Sequence, residues 1–97
     1  MNEVLKYGTI FDMKAKHQKV LKSIFETPVN SSIVWKDIES LLLNLGAEIS
    51  EGRGSRVRVA LNGVRAVFHR PHPKKETDKG AVVSVRRLLT EAGVKPC

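Results

Sequence analysis

The stretch Arg56-Val57-Arg58-Val59-Ala60-Leu61-Asn62-Gly63-Val64-Arg65-Ala66-Val67-Phe68-His69-Arg70 decides the fold. Two alternating runs flank Asn62-Gly63, the pair favoured in a two-residue type I′ hairpin because both central positions need positive φ. Such a turn fixes the register: Leu61 faces Val64, Val59 faces Ala66 and Val57 faces Phe68. Those six side chains share one side and are all apolar, so turn and binary pattern specify the same ribbon. The opposite side pairs Ala60 with Arg65, Arg58 with Val67 and Arg56 with His69. One face is therefore expected to form core, and the other to present three arginines and a histidine.

Working outward, residues 47–50 read as a short extended segment, followed by a tight turn at Gly52-Arg53-Gly54. Upstream, Ile38, Leu41, Leu42 and Leu45 recur at i, i+3, i+4, i+7, which predicts a helix over 36–45 with one apolar stripe. Asp37 and Glu39 are assigned to its first turn, where the helix dipole favours negative charge, and Gly46 fits the left-handed residue that closes a helix. A further helix is expected over 14–26, with Val20, Leu21, Ile24 and Phe25 on one side and Lys16, Lys19 and Lys22 elsewhere. Thr27-Pro28 stops it, and His17 is expected to be a solvated surface residue. Downstream, Pro71 ends the ribbon, 72–77 form a basic loop, and Asp78 can cap a last helix reaching about Ala92. Val82, Val85, Leu88 or Leu89, and Ala92 should point inward, with Arg86 and Arg87 projecting from the side and Gly93 ending the helix. The order helix, helix, three strands, helix is that of a single α+β layer. Residues 1–13 read as an N-terminal arm and 14–97 as one domain, with 14–28 an additional helix and 36–95 the core.

Ninety-seven residues suffice for one small domain with a core large enough to fold unaided. The longest apolar run, Leu41-Leu42-Leu43, is broken by Asn44, so no membrane span is expected. Met1-Asn2-Glu3-Val4 lacks the basic start of a secretory signal, and the one cysteine, Cys97, offers no disulfide framework or zinc set. A cytoplasmic location follows as the expectation. Charge is more informative. Residues 1–50 hold six basic and six acidic side chains, whereas 51–97 hold eleven basic and four acidic, so the whole net charge of +7 lies in the second half. That asymmetry points to a polyanionic partner such as RNA, because phosphates release counterions when Lys and Arg neutralise them. The candidate RNA-binding residues are Arg53, Arg58, Arg65, Arg70, Lys74, Lys75, Arg86 and Arg87.

Three chemistries are set aside. Gly52-Arg53-Gly54 lacks the Gly-Lys-Ser/Thr of a phosphate-binding loop. His69, His72 and Glu76 make a poor metal site, because the surrounding lysines and arginines repel a cation; no metal and no cofactor is expected. Ser55 has no acid–base partner at recognisable spacing. His69 is the residue to follow. It stands opposite Arg56 and diagonal to Arg58, where an imidazole could move the proton of a ribose 2′-OH while arginines hold the phosphate. Binding a phosphate without chemistry is the open alternative. His72, one residue beyond Pro71, is the second histidine candidate.

These residues resemble the HicA toxins, small RNA-cleaving partners of HicB antitoxins. The resemblance covers roughly residues 36–95. It is carried by Leu41-Leu42 with Leu45-Gly46, by Gly54-Ser55 opening a strand, by Phe68-His69-Arg70-Pro71-His72, and by Gly80 through Leu88-Leu89-Thr90-Glu91-Ala92-Gly93. It implies a double-stranded-RNA-binding-domain-like α-β-β-β-α fold, metal-independent endoribonuclease activity on mRNA, and neutralisation by an antitoxin covering the active face. The family usually places a catalytic histidine immediately after the Gly-Ser pair, where this chain has Arg56. His69, across the ribbon from Arg56, could deliver an imidazole to nearly the same volume, giving a catalytic group of His69, Arg56 and His72. The extra helix lies outside the resemblance, with added core, homodimerisation or antitoxin binding as its candidate roles. Two other classes stay open: a non-catalytic RNA- or DNA-binding module, and a protein whose basic face docks an acidic antitoxin.

Overall fold

The computed structural model describes residues 13–96; residues 1–12 of the expected arm, and Cys97, lie outside the described residues. Six elements follow in order: α1 (Ala15–Ile24), α2 (Trp35–Asn44), β1 (Glu48–Glu51), β2 (Arg56–Leu61), β3 (Val64–His69) and α3 (Lys79–Glu91). From α2 onward this is helix, three antiparallel strands, helix, the order of a double-stranded-RNA-binding-domain-like fold, and α1 is an additional helix in front of it.

The ribbon forms in the register that Asn62-Gly63 dictates. Asn62 has φ 51° and Gly63 has φ 83°, and the strand partners are Leu61 with Val64, Val59 with Ala66, and Val57 with Phe68. β1 joins the other side of β2, Ile49 opposite Val59 and Ser50 opposite Arg58, so the sheet order is β1-β2-β3. Val57, Val59, Leu61 and Phe68 are buried, and the alternate residues of β2 and β3 are exposed or half-buried. Among the described residues, the helices therefore cover one face only. Ile24, Ile38, Leu41, Leu42, Val82, Val85 and Leu89 complete that core, each burial contributing about 1.5–3 kcal/mol before entropy is counted. Leu88 and Leu89 are both buried, and Trp35 meets Phe68 with ring centroids 5.5 Å apart.

Helix ends follow local chemistry. Asp78 accepts from the Ala81 amide at 2.8 Å, the cap expected of it. Gly46, with φ 96°, closes α2. Because α2 starts at Trp35, only Asp37 lies in its first turn; Glu39 sits one turn further in. The loop after β3 returns beside the segment before α2, where Trp35 N–H donates to Lys75 O at 2.9 Å and Thr77 N–H to Ile33 O at 2.7 Å.

The expectation for His17 fails. It is buried, with Nε2 2.9 Å from the Ser40 hydroxyl. Its position in α1 is shared with the apolar stripe, since Val20, Leu21 and Ile24 follow at helical spacing. The lysines around it in sequence point elsewhere. Met13, the last residue assigned to the arm, is also buried in the core.

Candidate nucleic-acid interface

The uncovered face of the sheet carries Arg56, Arg58, Ala60, Arg65, Val67 and His69 from the ribbon, joined by Glu48 and Ser50 of β1. Strand alternation places these side chains together, because partners across a ladder share a face. Arg56, Arg58, Arg65, Val67 and His69 are all exposed. Near the turn and the middle of the ribbon, Glu48, Ser50, Arg58, Ala60, Arg65 and Val67 line a shallow depression of about 710 Å³. Arg56 and His69 face each other at the far end of the ribbon, outside that hollow. Arg58 reaches the Glu51 carbonyl, its Nη1 donating at 3.3 Å. Glu48 was not anticipated on this face, although register alone places it opposite Ala60.

Two expected RNA-binding arginines are engaged by the fold. The Arg70 guanidinium meets Glu39 through two bonds, Nε to Oε2 at 2.7 Å and Nη2 to Oε1 at 3.2 Å, and Glu51 through Nη1 at 2.7 Å. The Trp35 indole N–H donates to the same Glu39 carboxylate. This clamp ties the end of β3 to α2 and β1. The hydrogen bond from Arg70 holds the Glu51 carboxyl below its ordinary value, and Glu39, with Glu51 second, raises Arg70 further into its charged form. Arg86 turns back onto α1, where Nε donates to Ile24 O at 3.0 Å and Nη2 to Glu26 O at 2.9 Å, with Cζ 5.8 Å from the centre of the Phe25 ring. It satisfies the Ile24 carbonyl, which the helix end leaves unpaired, and that of Glu26 in the segment just after it.

The remaining candidates are exposed but dispersed. Arg53 stands in the Gly52–Gly54 turn, Lys74 and Lys75 in the loop after β3, and Arg87 on α3 beside β3. His72 lines a separate hollow of about 510 Å³ with Ser31, Lys74, Glu76, Thr77 and Asp78. Among the described residues, no three His, Cys, Asp or Glu side chains gather into a metal-binding group. Nor is any described helix long and apolar enough to cross a membrane.

Residues 35–94 match the family model described as the HicA toxin of bacterial toxin–antitoxin systems. No curated protein and no solved structure matches the chain. The matched segment spans α2 to just beyond α3, including the whole sheet and its arginine face. With more than half its length inside that match, the chain belongs to the HicA toxin family, and so is the toxin of a toxin–antitoxin pair and has an antitoxin as partner.

Proposed function

We propose that the protein is a metal-independent endoribonuclease that cleaves mRNA in the cytoplasm, with His69 as its acid–base group. One observation carries this reading: an exposed histidine is paired across the ribbon with Arg56, on a face whose other exposed cations are Arg58 and Arg65. RNA supplies its own nucleophile, so the protein needs only to move protons and stabilise charge. The His69 imidazole would accept the proton of a ribose 2′-OH as that oxygen attacks the adjacent phosphorus. Arg56 would stabilise the pentacoordinate phosphate, and Arg58 and Arg65 would hold flanking phosphates. The resulting imidazolium, or His72 from the following loop, would protonate the departing 5′-oxygen. Arg53, Lys74, Lys75 and Arg87 would widen the cationic surface; Arg70 and Arg86 are left out because the fold engages them.

A second reading is favoured by one specific residue. Arg56 occupies the position after Gly54-Ser55 where HicA-like sequences carry histidine, which suits a face that grips phosphate without cutting it. Induced expression of wild type and His69→Ala, with total mRNA followed after induction, separates the two. The ribonuclease reading expects mRNA loss with wild type and a cleavage rate lower by about 10²–10⁴ in the variant. Equal cleavage by both removes His69 from the mechanism. RNA bound and intact with both, at equal affinity, establishes the non-catalytic reading.

A further inference from the structure

Among the described residues, the sheet has an open edge beside the proposed site. In a two-residue turn the closing pair bond each other, so Val64 turns its amide toward β2. Alternation then sends Ala66 and Phe68 inward as well. The bond from Arg70 N–H to Ser55 O, at 2.9 Å, continues that series. The N–H and C=O groups of Arg65, Val67 and His69 therefore point away from β2, and no strand pairs with them among the described residues. Val67 at the centre of this edge is 55% exposed, and Arg65 and His69 flank it in the open. Alongside runs a groove of about 240 Å³ between β3 and α3, lined in part by Ala66, Ser84, Arg87 and Glu91.

Natural sheets blunt free edges with short strands, bulges, prolines or charged side chains. β3 has Arg65 as its one charged residue, but it is six residues long, regularly paired, and holds a valine at its middle. The other edge is less inviting. β1 has four residues, and its Glu51 carbonyl already accepts from Arg58.

We infer that the β3 edge is the docking site for an extended, acidic segment of the antitoxin, added to the sheet as a fourth strand. Charge selects the occupant. A second copy of this chain, paired antiparallel about Val67, would give Arg65 no acidic partner at either end; paired parallel in register, it would set Arg65 beside Arg65. Like charges opposite one another destabilise a strand pair. A segment with an acidic residue facing Arg65, a hydrogen-bonding one facing His69 and an apolar one facing Val67 meets the edge with complementary charge and a full set of backbone bonds. Seated there it lies against His69, so the contact that recruits the partner also obstructs the arginine face. The inference rests on membership of a toxin–antitoxin family and not on the catalytic role of His69.

Amide hydrogen exchange on the full chain, alone and with its purified antitoxin, tests this directly. In the free protein Ala66, Phe68 and Arg70 amides should be protected, with Arg65, Val67 and His69 exchanging rapidly. Antitoxin should slow the latter three by at least tenfold. Antitoxin that fails to bind, or binds and leaves those three fast, overturns the inference. Slowing that follows the concentration of this chain alone assigns the edge to a second copy, and slowing by an RNA oligonucleotide alone assigns it to RNA; either overturns it too. A Val67→Pro chain, lacking one outward N–H but no bond to β2, should bind antitoxin at least tenfold more weakly than Val67→Ala. Equal affinities for these two variants would also count against strand addition. Ribonuclease assays play no part in these readouts, so a failed catalytic assignment leaves them interpretable.

Discussion

Replacing Arg70 and Arg58 one at a time by glutamine separates the arginine that holds the fold from one proposed to bind RNA. Arg70 has 33% of its side chain exposed and Glu39 18%, so their paired bonds lie between the surface and buried limits. Exposed ion pairs contribute about 0.2–1 kcal/mol, and breaking a buried one costs about 3–5 kcal/mol. After discounting for solvent, and taking nothing for the bond to the exposed Glu51, Arg70→Gln should cost about 1–2 kcal/mol. A domain of this size shifts in Tm by roughly 4–8 °C per kcal/mol, which predicts a fall of about 5–15 °C by calorimetry or circular dichroism. Arg58→Gln, at an exposed site, should stay within about 0.5 kcal/mol of wild type. The RNA readout should run the other way. Arg58→Gln should weaken RNA binding and flatten the dependence of log K on log salt by about 0.7 for a single strand, while folded Arg70→Gln keeps the wild-type slope. Acid adds a check on the same contact. Arg70 depresses the folded pKa of Glu51, so this group stabilises the protein above its ordinary value of 4.5, and that contribution is lost as pH falls through the lowered one. Because Glu51 is exposed, the difference between wild type and Arg70→Gln should narrow only slightly below about pH 4.5. An unchanged Tm in Arg70→Gln, together with a flattened salt slope, would refute the clamp and return Arg70 to the RNA-binding set.

Three further expectations concern the frame behind the site. Asp78→Ala removes the side-chain cap of α3 and should cost about 1 kcal/mol in urea unfolding, an effect that a glycine there would largely avoid. The Thr77 hydroxyl is buried with no hydrogen-bond partner among the described residues, so Thr77→Val should leave stability unchanged or raise it by about 0.5–1 kcal/mol; a loss of stability instead would reveal a partner for the hydroxyl. Ser40→Ala takes away the hydroxyl that meets His17 Nε2 and should cost about 1 kcal/mol at neutral pH, read as a shift of the urea midpoint with the slope unchanged.

The ribbon was legible because two independent signals agreed. Asn62-Gly63 demanded a particular turn, and only one register then placed six apolar side chains on one side. The same agreement fixed the arginine face without any knowledge of distant contacts. What escaped were pairings across large sequence separations. Nothing near Arg70 indicates that Glu39, 31 residues away, would claim its guanidinium, and nothing near Arg86 indicates the carbonyls of Ile24 and Glu26. Count and spacing treat every arginine alike; tertiary structure divides them into those spent on the frame and those left outside. His17 failed for a related reason. Its polar neighbours in sequence suggested solvent, but its position on the α1 stripe was decided by where Val20, Leu21 and Ile24 point.

The family's hallmark segment begins at Trp35, yet the body of the protein does not. α1 contributes Val20, Leu21 and Ile24 to the same core as Ile38 and Val85, and Arg86 stitches its last carbonyls to α3. A chain trimmed to the matched residues would bare an oily flank and leave Arg86 without acceptors, so the smallest freestanding unit is larger than the portion that announces kinship. Residues 13–34 are thus masonry rather than ornament: any transplant of the arginine face into another protein has to carry them along.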